Sequence, residues 1–296
     1  MTEGLPPTEA VDEATHGLDR MPTADLVAAL IAAQRRAFDA AQEAAPQIAR
    51  AADAISARLR SGGALHYVGA GTSGRLGVLD AAELPPTFGV SPSLARAHIA
   101  GGADAMTGAV EGAEDNAQGF DAEVRSKDAV IGISASGGAS FVCASLDRAK
   151  AKGALTVAIT SAPDSRLARH ADVAIVTQTG AEPLAGSTRM LAGTAQKIVL
   201  SALSTAVMVR LGKVYDNLMI DVVATNEKLR KRALRLVRSL CDVDDARGRE
   251  LLERAGGSVK RAVVMEKLGI DADAAQKVLS LNNESLRDVL ESSPKP

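Results

Sequence analysis

The chain has 296 residues, a formal net charge of -2 and 46% hydrophobic residues. It is long enough to bury a sizeable core, in one large domain or in a large domain with a small companion. Near-neutral charge, no Trp and only 2% aromatic residues argue against nucleic-acid binding, which needs a positive field and stacking platforms.

Cys143 and Cys241 are the only cysteines and have neither metal nor disulfide spacing. The N-terminus lacks a basic region followed by an apolar run, so no signal peptide is expected. No apolar stretch is expected to span a bilayer; Ile198–Val209 is too short. The expected compartment is the cytoplasm.

In chain order, residues 1–21 carry prolines and acids with little periodicity and read as an extended arm. Residues 22–59 are helix-forming, with a break or restart at Pro46. Short apolar strands follow at Leu65–Val68, Leu94–Ile99, Ala129–Ile133, Leu155–Ile159 and Val173–Val176. Helical stretches separate them at Ala103–Ala109, Glu114–Arg125, Phe141–Lys152 and Ser165–Arg169. This alternation predicts an open, mostly parallel five-stranded α/β sheet with helices on both faces. Ligands of such sheets sit at the carboxyl ends of the strands.

Ser187–Leu211 reads as a long helix capped by Ser187 or Thr188, and Val214–Leu240 as a continuation. The cluster Lys228, Arg230, Lys231 and Arg232 reads as a solvated face. Cys241–Leu290 reads as short helical pieces broken by Gly256, Gly257 and Gly269. The predicted organisation is an arm at 1–21, an α/β domain at 22–240 and a small helical domain at 241–296.

The stretch LHYVGAGTSGRLGVLDAAE (65–83) joins an apolar strand to a glycine-rich turn and a helix. Gly69 and Gly71 allow a tight turn and close ligand approach, Thr72 and Ser73 add hydroxyls, and the helix start presents unpaired N–H groups. That combination suits a phosphate monoester. Ser134, Ser136, Gly137 and Gly138 make a second hydroxyl-rich loop after the third strand.

Gly69, Gly71 and Gly74 also fit GxGxxG, but no acid ends the second strand to hold a ribose. No GxxxxGK[ST], GxSxG or HExxH occurs, which disfavours nucleoside triphosphate, serine hydrolase and zinc readings. No cofactor and no metal are expected. Glu83, just before Pro85 and Pro86, and Glu114 in EGAED are the acid–base candidates, and the prolines are expected to end the helix. His66 reads as a core or edge residue of its strand.

The segments GAGTSGRLGVLDAAELPPTFG (69–89), VEGAED (110–115), GSTRMLAGTAQK (186–197) and GKVYDNLMIDV (212–222) resemble the N-acetylmuramic acid 6-phosphate etherase family. The resemblance runs over nearly the whole chain. It implies a sugar isomerase (SIS) fold and a metal-independent lyase of peptidoglycan recycling. The implied reaction breaks a lactyl ether, giving N-acetylglucosamine 6-phosphate and D-lactate, in a homodimer with active sites at its interface.

The resemblance implies that Glu83 protonates the departing lactate oxygen and then activates water, and that Glu114 removes the C2 proton. Gly71, Thr72, Ser73, Ser134, Ser136 and Gly137 are then the substrate- and phosphate-binding residues. The sequence departs from the family pattern at Val11 and Asp12, at Gly138 and Ala139, and at Leu191. A phosphosugar-binding regulator of the same fold, without this chemistry, is the alternative reading.

Overall fold

A computed structural model of the chain describes residues 7–120, 123–221 and 227–292. Five parallel strands form one sheet: β1 (Leu65–Gly69), β2 (Ala95–Ile99), β3 (Ala129–Ile133), β4 (Leu155–Thr160) and β5 (Val173–Val176). Their order is β2-β1-β3-β4-β5. Gly69 is registered with Ile99 on one side and Ile133 on the other. Strands β1, β3 and β4 are buried along their whole length, which explains why they read as unbroken apolar runs.

Helices cover both faces of the sheet. Helix α4 (Gly71–Phe88) lays Gly77 against Tyr67 and Ile133. Helix α5 (Ser140–Ala151) lays Val142 and Leu146 against Gly132, on the alternate side of the pleat. The N-terminal helices are α1 (Thr23–Ala33), α2 (Arg35–Glu43) and α3 (Ala45–Arg60). Pro46 lies in the first turn of α3, where the missing N–H costs nothing. Helix α6 (Arg166–His170) is capped by Ser165, and α7 (Leu191–Arg210) is the longest helix of the described residues.

The described chain packs as two compact units, one built from residues up to Ala82 together with Ser93–Ala206, the other from Glu83–Pro92 and residues from Val207 onward. The second unit holds a two-strand antiparallel hairpin, β6 (Val214–Tyr215) and β7 (Leu218–Met219), and five helices. These are α8 (Glu227–Cys241), α9 (Asp245–Arg254), α10 (Val259–Leu268), α11 (Ala272–Leu281) and α12 (Leu286–Ser292). Leu236 and Val237 of α8 share one core with Leu251, Val263, Leu279 and Val289. Helix α8 therefore belongs with the C-terminal helices, and the division falls before it rather than at 240/241.

Several local expectations change. Three one-turn helices at Pro7–Glu9, Glu13–Thr15 and Leu18–Arg20 stand where an extended arm is expected. Thr15 donates to the Pro183 carbonyl, the Gly186 N–H donates to the Thr8 carbonyl, and Arg36 pairs with Asp12. Residues 1–6 of the predicted arm lie outside the described residues.

Pro85 and Pro86 lie inside α4 and do not end it. A proline forfeits its own N–H, but its carbonyl still accepts, and the Gly89 N–H closes the helix onto Pro85 at 3.0 Å. Glu114–Arg125 is not a helix over its described residues, and residues 121 and 122 lie outside them. Only Ala113–Asp115 makes one turn, after which the Asn116 side chain takes the Gln118 N–H and turns the chain. Ala103–Ala109 shortens to a one-turn helix at Gly102–Met106.

The start of Val214–Leu240 is the β6–β7 hairpin, with Asp216 at φ 53° in its turn. Helix α7 has the length and composition to cross a membrane, contrary to the expectation that no stretch does. Yet 56% of that window is buried, and Leu191, Val199, Leu200 and Leu203 are core residues.

Candidate functional site

The strand order reverses between β1 and β3, so the crevice beyond their carboxyl ends is where a doubly wound sheet receives a ligand. Both glycine- and hydroxyl-bearing loops stand there. The first, after β1, is drawn tight by close backbone approach: a Cβ on Gly69 would lie 2.6 Å from the Gly74 nitrogen. The Gly74 N–H is taken by the Ala70 carbonyl at 3.1 Å. The N–H groups of Gly71, Thr72 and Ser73 open α4, where helix geometry supplies no intrahelical acceptor. They and the helix dipole make an anion-binding end.

Ser73 is buried and donates to Gln196 Oε1 of α7 at 2.9 Å. Thr72 lies against Gly193, one turn earlier on α7. Two turns further on, Ser204 donates to Asp80 at 3.2 Å, and Tyr67 donates to the other oxygen of Asp80 at 2.7 Å. A polar seam thus fixes α7 beside α4, and burial with the Asp80 carboxylate raises the Tyr67 pKa well above its usual value. The loop before α7 supplies the cap. Glu182, fully buried, accepts the Leu191 and Ala192 N–H groups at 2.7 and 2.9 Å. Neither Ser187 nor Thr188 caps the helix with a side chain. Burial pushes Glu182 up, against the pull of those two N–H groups and Arg36.

The second loop, after β3, is internally satisfied. Ser134 Oγ accepts the Gly137 N–H at 3.1 Å and Ser136 Oγ accepts the Gly138 N–H at 3.3 Å. Thr160 donates to the Ala135 carbonyl, and the Leu167 N–H to that of Gly137. Gly137 has φ 64°, and a Cβ there would meet Ser165 Oγ at 2.2 Å, so no side chain fits. Ser134 is buried and Ser136 is exposed. Both hydroxyl oxygens act as acceptors inside the loop, which leaves their protons for a ligand.

Glu114 is exposed and lines a cavity of about 180 Å³ with Gly71, Arg75 and Gly112. Arg75 donates to the carbonyls of Met106 and Gly108 and so binds the loop leading to Glu114 back onto α4. Beyond Glu114 the same loop is pinned by Phe120, stacked on His98 with centroids 4.1 Å apart. His98 in turn meets His66 at 3.0 Å. Burial pushes the His98 pKa down to about 4, with His66 and Arg96 adding to the effect. Burial also lowers His66, against the attraction of Asp128. Glu83 is an exposed residue of α4, three turns past Gly71, and packs with the second unit.

The structure therefore brings Gly71, Thr72 and Ser73 to the strand next to that of Ser134, Ser136 and Gly137, and puts Glu114 on the cavity that Gly71 lines. Sequence reading missed Arg75, Glu182, Gln196 and the His66–His98–Phe120 stack. Among the described residues, no group of three or more His, Cys, Asp or Glu side chains is placed to hold a metal ion.

Residues 105–206 match the SIS domain, and residues 47–150 match the glucokinase regulatory protein N-terminal SIS domain. A relative from Symbiobacterium thermophilum named N-acetylmuramic acid 6-phosphate etherase is 50% identical over 86% of this chain and 86% of its own. Relatives of the same name from Trichormus variabilis and Salmonella choleraesuis are 45% and 44% identical, over 96% and 98% of this chain and 94% and 100% of theirs. With such identity along essentially the full length, the chain belongs to the N-acetylmuramic acid 6-phosphate etherase family.

Proposed function

We propose that the chain is a carbon–oxygen lyase that cleaves the D-lactyl ether of N-acetylmuramic acid 6-phosphate, giving N-acetylglucosamine 6-phosphate and D-lactate. Near-full-length identity to relatives bearing that name carries the reading. The α4 N-terminus, with the Ser73 N–H, and the hydroxyls of Thr72, Ser134 and Ser136 hold the phosphate, with the backbone of Gly71 and Gly137 admitting it closely.

The chemistry needs one group to take a proton and one to give it. Opening of the sugar ring exposes an aldehyde that acidifies C2–H. Glu114 takes that proton, the C2–C3 double bond forms, and the C3–O bond breaks as Glu83 protonates the lactate oxygen. Ionised Glu83 then removes a proton from water, which adds at C3, while Glu114 returns its proton to C2. Atoms balance as one water consumed and one lactate released. The residues named require no metal.

We infer a homodimer with active sites at its interface, acting in the cytoplasm. The 180 Å³ cavity beside Glu114 is smaller than the roughly 300–1,000 Å³ of typical small-molecule sites, which supports completion of the site by a second copy. The match of residues 47–150 to a regulatory SIS domain favours a second reading, a phosphosugar-binding regulator. Incubation with N-acetylmuramic acid 6-phosphate in D2O decides between them. The lyase releases lactate and leaves deuterium at C2 of the product, both followed by NMR. Binding without release or exchange identifies the regulator.

A further inference from the structure

The buried seam between α4 and α7 contains a polar group without a partner. Gln196 is 1% exposed, and its Nε2 has no hydrogen-bond acceptor. Its Oε1 accepts from Ser73, the third residue of α4. The Nε2, bonded to the same carbon, therefore lies beside the first turn of that helix, where the N–H groups of Gly71, Thr72 and Ser73 also lack intrahelical acceptors. Either orientation of the amide leaves the Ser73–Gln196 pair with one unspent hydrogen-bonding group. An orphaned buried amide costs stability, and such a cost is expected to be retained where a ligand relieves it.

We propose that Gln196 is a binding residue for the phosphoryl group of the substrate, donating from α7 at the N-terminus of α4. The assignment rests on the phosphosugar reading of that site and adds a ligand from a second helix. Several features converge on an acceptor-rich anion. The helix end is an 18-residue helix with its dipole directed at the site. The Gln196 donor is neutral, so it adds direction without adding charge. The N-terminus of α7 does not compete for the anion, because Glu182 has already taken its first two N–H groups. Position is fixed as well: Gly193 against Thr72 and Ser204 on Asp80 hold α7 in register on either side of Gln196.

Titration calorimetry with N-acetylglucosamine 6-phosphate and with unphosphorylated N-acetylglucosamine tests the assignment on wild type, Gln196→Leu and Gln196→Glu. Gln196→Leu keeps the volume and removes the orphan. Loss of one hydrogen bond to a charged group predicts about tenfold to hundredfold weaker binding of the 6-phosphate, and melting of the ligand-free variant reports separately the cost of leaving the Ser73 hydroxyl without its acceptor. Gln196→Glu retains an acceptor for Ser73 but sets a carboxylate against the phosphate, and weakens binding further. Affinity for the unphosphorylated sugar stays level across all three proteins. Either variant binding the 6-phosphate as wild type does overturns the Gln196 assignment alone. A wild type that binds no hexosamine 6-phosphate overturns the phosphosugar reading with it.

Discussion

The proposed division of the reaction between Glu83 and Glu114 predicts that their neutral variants fail in different ways. Glu83→Gln cannot protonate the lactate oxygen, so lactate release falls by about 10²–10⁴-fold. Glu114 is still present in that variant, so C2 still exchanges with solvent deuterium. Glu114→Gln blocks the first proton transfer and depresses exchange and release together by a similar factor. Parallel NMR time courses in D2O separate the two, and equal loss of exchange in both variants refutes the division of roles. The placing of Gly71, Thr72, Ser73, Ser134, Ser136 and Gly137 in strand-end loops was legible because each loop directly follows an apolar run. Gln196 was not, because its partner Ser73 lies 123 positions away, and no local pattern marks a buried amide with one bond too few.

Among elements, the five strands were legible because burial on both faces leaves little but apolar residues in them. Elements defined by distant partners or by a few residues were not. The β6–β7 strands are two residues each, too short to break a helical reading. The loop after Glu114 is held by Phe120, whose N–H donates to Ser145 and whose ring stacks on His98. That stack has a consequence for pH. His98 titrates at about 4 in the fold and near 6.5 when unfolded. His66 is lowered too, with Asp128 favouring its charged form and Arg96 and Arg125 opposing it.

The unfolded chain therefore binds protons that the folded chain refuses between pH 6.5 and 4. Stability from the neutral pair is complete above 6.5 and is lost as the pH falls toward 4. His98→Phe keeps an aromatic ring against Phe120 and cannot titrate. Its melting temperature is expected to fall less steeply than that of wild type across that window. Equal slopes in a thermal melt series would refute this account of the stack.

At the scale of the molecule, the unexplained surface is α1. Its sequence, TADLVAALIAA, is mostly apolar, yet none of its residues is buried. Val27 and Ile31, one turn apart on one face, are 49% and 67% exposed, and Phe38 in α2 is 56% exposed. Helix α7, the other long apolar helix, has its apolar residues largely spent on the core of its own chain. Alpha-helical apolar surface left in water favours association, and a second copy is the partner that the family reading supplies. Wild type is expected to scatter light as twice the chain mass. Ile31→Asp places a charge at a side chain that is 67% exposed, so the single chain is expected to keep its fold and melting behaviour while the dimer dissociates. Because the cavity beside Glu114 is small for a whole phosphosugar, lactate release should fall in step with dissociation and recover as protein concentration rises. A wild type that stays monomeric at working concentration, or an Ile31→Asp monomer with full activity, would remove the shared site from the mechanism and leave each chain to act alone.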